Sequence, residues 1–132
     1  MFARLAIGLT VVLGVLSAGC PGGGDDGLSP SAACKEAQQN LCERFYTCYT
    51  PAELASIGFP ASEAACVTKR IADEGCDNET VANTCVGNER YHADQAERCV
   101  EQVTGLACSQ VRDPDLVIET AAPACGQVCV VK

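Results

Sequence analysis

Cysteine is the residue type in this sequence with the greatest capacity for chemistry. The chain has 132 residues and 11 cysteines, but one histidine, one methionine and no tryptophan. Cysteine pairs can form disulfides, bind a metal ion or act as reactive thiols. Zinc sites usually contain Cys-x2-Cys pairs or cysteine together with histidine, and this chain contains no Cys-x2-Cys spacing. The spacing favours structural disulfides, with metal binding and a redox role as the alternatives. The ten cysteines that we predict to be paired are Cys34, Cys42, Cys48, Cys66, Cys76, Cys85, Cys99, Cys108, Cys125 and Cys129.

His92 is the histidine that any Ser-His-Asp or Cys-His mechanism would have to use. It precedes Cys99 by seven residues, so the two lie on the same face if this segment is helical. The pair could be a general base beside a thiolate. A half-buried helical histidine beside a disulfide is the interpretation that we favour.

Carboxylates offer two further patterns. Glu97 and Glu101 are one helical turn apart, as in a glycosidase pair or a metal site, but charged neighbours favour a solvated helix face. Asp73, Asp77 and Glu79 resemble part of a calcium loop without its central glycine and distal glutamate. Nucleotide-binding and hydrolase motifs are also missing from the sequence. We therefore predict no catalytic residue, no cofactor and no metal ligand.

The amino terminus has the pattern of an export signal. Arg4 is followed by the apolar stretch 5–16, which is too short to span a bilayer permanently. The stretch ends in Leu16-Ser17-Ala18-Gly19-Cys20, which resembles the lipobox of bacterial lipoproteins, although Ser17 occupies the usual leucine position. The resemblance implies that residues 1–19 are a lipoprotein signal peptide, with cleavage before Cys20 and lipid attachment to its sulfur. An ordinary secretory signal followed by an incidental cysteine is the alternative.

The resemblance also bears on localisation. The residue after Cys20 is Pro21. An aspartate at that position would resemble the inner-membrane retention signal of lipoproteins in double-membraned bacteria. We therefore expect a lipid-anchored protein of the bacterial cell envelope, located at the outer membrane. The sequence does not indicate whether it lies on the periplasmic or on the surface side of that membrane. Residues 20–30 are rich in glycine and predict a flexible tether, and residues 31–132 form the predicted domain.

The domain is predicted to be mainly α, a small disulfide-rich helical bundle with no significant sheet. Residues that begin or end helices are frequent in the sequence. Large apolar side chains are few, so the core is small and needs disulfides to stabilise it. Along the first predicted helix, Cys34, Leu41, Phe45 and Cys48 share one stripe. The predicted helices are 31–49, 51–57, a third from a Ser62 cap to Glu74, a turn between 77 and 85, 88–104, and a last one from Asp113-Pro114 to Pro123, with 128–131 extended.

Ten cysteines allow on the order of a thousand pairings, so spacing alone does not fix them. If the first two long helices form an antiparallel hairpin, Cys48 and Cys66 lie at the same end. We therefore predict a Cys48–Cys66 bridge, with Cys76 returning to Cys42 or Cys34. The body, with its Cys34-x7-Cys42-x5-Cys48 spacing, also resembles a group of uncharacterised cysteine-rich bacterial lipoproteins, which implies no activity.

Charge and aromatic content bear on partners. The chain has 17 acidic and 9 basic residues, a net charge of −8 that repels phosphate backbones, so no nucleic-acid partner is expected. We expect a noncatalytic interaction or structural module that meets the membrane through Cys20 and binds an unknown protein or a hydrophobic small molecule. The two alternatives are a carrier of small hydrophobic ligands and an inhibitor of an extracellular hydrolase that inserts the loop 50–60. The candidate partner surface is Phe45, Tyr46, Tyr49 and Phe59.

Overall fold

The longest helix, α1, runs from Pro30 to Cys48 in the computed structural model, which describes residues 27–131. Ser29 caps its first turn by accepting a hydrogen bond from the Ala32 N–H at 3.4 Å, and proline fits the first position because the missing N–H has no partner there anyway. The helix lies within one residue of the predicted range at both ends. The lipobox, Cys20 and the tether up to residue 26 lie outside the described residues.

Shorter elements follow α1 along residues 49–131. They are α2 (Pro51–Ser56), α3 (Glu63–Asp73), a 3-10 turn (Cys76–Asn78), α4 (Val81–Thr84), β1 (Glu89–Tyr91), α5 (Ala93–Thr104), α6 (Cys108–Val111), α7 (Ile118–Ala121), a 3-10 helix (Pro123–Gln127) and β2 (Cys129–Val131). The prediction of a mainly α, disulfide-rich bundle is confirmed. Its one sheet within the described residues has two antiparallel strands.

Two boundary predictions were wrong. The segment from Asn88 does not begin a helix, because β1 pairs with β2, with Tyr91 opposite Cys129, and α5 begins only at Ala93. That pairing partner lies about forty residues later, where no local pattern can indicate it. The last helix, predicted from Asp113-Pro114 to Pro123, is present but shorter, since α7 begins only at Ile118 and ends at Ala121. The Asp113 carboxylate accepts the Asp115 N–H at 2.9 Å and closes a turn between α6 and α7 instead.

Five disulfides connect these elements. They are Cys34–Cys76, Cys42–Cys66, Cys48–Cys108, Cys85–Cys129 and Cys99–Cys125. The first two hold α1 and α3 antiparallel, so the predicted hairpin is confirmed, as is one of the two predicted partners of Cys76. The predicted Cys48–Cys66 bridge is wrong. Cys42 and Cys48 are about 9 Å apart along the helix axis, and Cys66, one turn into α3, lies beside Cys42 rather than beside the end of α1. Cys48 therefore bonds to α6 instead.

The core is small and contains much sulfur. Among the described residues, the largest side chains that are fully buried are those of Cys42, Cys66 and Cys76. One apolar cluster lies where α1 meets α5 and α6, and includes Leu41, Val103 and Val111. A second cluster lies between the first turns of α1 and α5; its buried members are Ala33, Tyr91, Ala93 and Ala96. Cross-links of this kind typically contribute about 2–4 kcal/mol each, so the bridges compensate for the light core.

Helix α2 is held at its start by a capping box and an arginine. The Glu53 carboxylate accepts the Thr50 N–H at 2.7 Å, and the Thr50 hydroxyl accepts the Glu53 N–H at 3.3 Å. Arg112 also donates to both carboxylate oxygens of Glu53, at 3.0 and 3.2 Å. The Thr50 N–H and then the Arg112 guanidinium lower the pKa of Glu53 from its ordinary value of 4.5 to about 2. Glu53 thereby joins α2 to the end of α6.

We expect Glu53 to make the fold sensitive to acid. Its folded pKa lies below its unfolded pKa, so the stabilisation is present above about pH 4.5 and is lost as the pH falls toward 2. The melting temperature of Glu53→Gln should therefore fall less than that of the wild type between pH 5 and pH 2. Glu63→Gln, at the start of α3, is the matched control and should follow the wild type. Parallel melting curves for wild type and Glu53→Gln would contradict this role.

Candidate binding surfaces

All ten cysteines within the described residues are paired with one another. Cys99 is bonded to Cys125, so its sulfur carries no thiol proton that His92 could remove. His92 itself precedes α5, and its backbone N–H donates to the Val128 carbonyl at 2.8 Å. Glu97 and Glu101 are both exposed on α5. No group of three or more His, Cys, Asp or Glu side chains in residues 27–131 is arranged to hold a metal ion.

The predicted partner surface is centred on three contacting rings, those of Phe45, Tyr49 and Phe59, with Tyr46 next to Phe45 on α1. We call these four residues the aromatic cluster. The ring centroid of Phe45 lies 4.7 Å from that of Phe59 and 5.9 Å from that of Tyr49. All four side chains are half-buried, and Phe45 and Tyr49 pack against the apolar cluster of α1, α5 and α6. The rings therefore join α1 to the loop that follows α2.

The polar atoms of the aromatic cluster are used within the chain. The Tyr46 hydroxyl donates to the Pro60 carbonyl, and the Tyr49 hydroxyl donates to the Val111 carbonyl at 3.3 Å. The Arg112 guanidinium lies 4.7 Å above the Tyr49 ring, a cation–π contact, and donates to the Cys48 carbonyl at 2.8 Å. These contacts account for the cluster as packing, while its role as a partner surface stays a prediction.

The loop 50–60 presents an apolar tip beside this cluster. Ile57 is 55% exposed, and Gly58 has a φ of +74°, a left-handed conformation that favours glycine. The Phe59 N–H donates to the Leu54 carbonyl at 2.9 Å and closes the turn. The tip is therefore tightly turned and offers no extended segment.

A groove of about 430 Å³ lies between α1 and α5, and we call it the helix groove. Its apolar walls come from small side chains, chiefly Ala33, Ala37, Ala96, Val100 and Val128. Its volume lies within the range of roughly 300–1,000 Å³ that is typical of small-molecule sites. The sequence did not reveal this groove, because its walls come from segments far apart in the chain and alanine gives no signal of its own.

Four polar side chains also line the helix groove, namely Glu79, Thr84, Tyr91 and Glu119. The Tyr91 hydroxyl donates to the Leu28 carbonyl at 2.7 Å, and Glu79 accepts from the Thr84 hydroxyl. Burial raises the pKa of Tyr91, and the carboxylates of Glu79 and Glu97 raise it further. Tyr91 therefore stays a neutral phenol. The groove combines apolar walls with the paired hydroxyls of Tyr91 and Thr84 and with the carboxylates of Glu79 and Glu119.

Comparison with known proteins finds no matching family model, curated protein or solved structure. Within the described residues, no helix combines the length and the apolar character needed to cross a bilayer.

If the aromatic cluster is packing, removing its central ring will destabilise the fold. We expect Phe45→Ala to lower the free energy of unfolding by about 2–4 kcal/mol, because a half-buried ring that contacts two others is lost. Urea unfolding measures this change. Ile57→Ala is the matched control, since that exposed side chain should alter stability by no more than about 0.5 kcal/mol. A loss below about 1 kcal/mol for Phe45→Ala would show that the cluster is surface rather than packing.

Proposed function

We propose that this chain is a noncatalytic, lipid-anchored module of the bacterial cell envelope. The observation that carries the proposal is the pairing of the cysteines. The ten cysteines of the described residues form five bridges among themselves, so Cys20 has no partner left in the domain. That arrangement supports a separate use for Cys20, which ends the lipobox-like sequence.

The density of disulfides supports an exported location. Bridges persist in oxidising compartments such as the periplasm and are rare in the cytosol. A domain whose largest fully buried side chains are half-cystines depends on such a compartment to fold. Export and lipid attachment would both follow from the sequence of residues 1–20.

Lipid on Cys20 would hold the domain at a membrane. Each buried CH₂ contributes about 0.8 kcal/mol, and stable anchoring takes two chains or more. A diacylglyceryl group together with an acylated amino terminus meets that requirement. Pro21 in place of aspartate supports the outer membrane. The role of the anchored domain is to present a cross-linked helical surface to a partner.

Mass spectrometry of the amino-terminal peptide tests the anchor. In a bacterial host that makes lipoproteins, we expect the mature chain to begin at Cys20, to carry the lipid mass there and to partition into the membrane fraction. Cys20→Ser should abolish both the lipid mass and the partition. Ser17→Leu restores the commoner motif and should be processed at least as well as the wild type. A mature chain that begins elsewhere, or an unmodified Cys20, would refute the proposal.

The helix groove supports a second candidate function, a carrier of a small hydrophobic ligand. Native mass spectrometry of the purified, oxidised protein distinguishes the two functions. A carrier would retain an apolar molecule, and Ala37→Leu, which places a larger side chain in the groove wall, should release it. Ala64→Leu, on the exposed face of α3, is the matched control. A wild-type mass with nothing bound after gentle purification would count against the carrier.

A further inference from the structure

Three strongly exposed valines lie near Glu89, at the end of the two-stranded sheet where Glu89 pairs with Val131. Val81, Val86 and Val131 are 66%, 74% and 69% exposed. Val81 and Val131 line one cleft of about 570 Å³ together with Glu89. Val86 is joined to the same glutamate, because its N–H donates to the Glu89 carboxylate and its carbonyl accepts the Glu89 N–H, both at 3.3 Å. We call these three side chains the valine patch.

The valine patch is unusual on this surface. Ile57 and Val117 are the other large aliphatic side chains that are exposed within the described residues. Ile57 directly follows α2 and Val117 directly precedes α7, so neither is next to the sheet in the chain. Single exposed aliphatic residues are ordinary, whereas contiguous apolar surface marks a site of interaction with protein or membrane.

The chain leaves the domain toward Cys20 at this same sheet. The Leu28 carbonyl accepts the Tyr91 hydroxyl at 2.7 Å, and Tyr91 lines the cleft of the valine patch. Gly27 lies directly against Ala93, since a Cβ at Gly27 would fall 2.7 Å from the Ala93 Cβ. β1 is three residues long, so the exit point and the patch lie about 10 Å apart along the strand.

The length of the connecting chain limits how far this end of the domain can lie from a lipid on Cys20. Residues 20–27 span at most about 25 Å even when fully extended. A lipid anchored at Cys20 therefore keeps the sheet near the bilayer. By contrast, α3 packs closely only against α1 and the 3-10 turn, so it lies on the far side of α1 from the sheet.

We propose that the valine patch is the face by which the anchored domain docks on the phospholipid surface. This inference rests on the proposed lipid anchor. The three valines enter the interfacial region of the bilayer. Arg90, which is exposed in the same cleft and has no ion-pair partner among residues 27–131, lies at the level of the lipid phosphates. The anchor and the patch then form two membrane contacts, and α3 faces outward for a partner.

The absence of tryptophan from the chain makes depth measurement straightforward, because one introduced tryptophan reports alone. The full lipidated protein carrying Val86→Trp is reconstituted in phosphatidylcholine vesicles whose acyl chains are brominated near the headgroup. Val117→Trp is the matched control, an exposed valine outside the patch. Interfacial insertion reaches about 5–10 Å, so we expect Val86→Trp to shift to shorter wavelength and to be quenched by bromine, and Val117→Trp to remain open to aqueous acrylamide.

Other outcomes overturn the inference in distinguishable ways. If Val86→Trp stays open to acrylamide, the patch faces away from the bilayer. If it is protected from both quenchers, a second copy of the chain covers the patch instead of lipid. If both tryptophans are quenched by bromine, the patch has no special orientation. The mass of the Cys20 peptide from the same sample shows whether the anchor itself is present, so failure of the proposed function is recognised separately.

Discussion

Three of the five disulfides connect the helix α1 to other segments of the chain, and the rest of the fold depends on that constraint. Cys34 and Cys42 fix α3 and the following turn along one side of α1, while Cys48 fixes α6 near its carboxyl end. The helix thereby sets the positions of segments that bury too little apolar surface to hold themselves. The two remaining bridges then connect the carboxyl-terminal segment to α5 and to Cys85, which directly follows α4. Reduction would release every one of these attachments, so the fold and the oxidising compartment belong together.

Because the disulfides and the core serve to stabilise the fold, the candidate binding features all lie on the surface. The core combines half-cystines and alanines with a few leucines and valines, whereas the rings of the aromatic cluster are half-buried and several valines are exposed. The aromatic cluster is used to fasten α2 and α6, with Arg112 joining the Tyr49 ring to Glu53. The helix groove and the valine patch are not used in this way. They lie on either side of Tyr91, near the point where the chain enters the domain.

The helices could be predicted from the sequence where their signals are local. The stripe along α1, the Thr50–Glu53 box and the Ser62 cap each act within a few residues, and the structure shows helices at all three. Predictions failed where a distant partner decides the outcome. The strand Glu89–Tyr91 needs β2, and Cys66 takes Cys42 because the loop through α2 sets where α3 begins. The groove and the patch could not be predicted for the same reason, since residues far apart in the chain form them.

The central claim is that α1 carries three bridges with the pairing described, and a disulfide map made without reduction tests it most directly. Trypsin leaves Cys48 and Cys66 in one peptide, so a second protease that cleaves after Glu53 and Glu63 is needed to separate them. The account predicts that the Cys66 peptide is linked to that of Cys42, and the Cys48 peptide to that of Cys108. A peptide pair that joins Cys48 to Cys66 would contradict the account, because α3 and α6 would then both be misplaced.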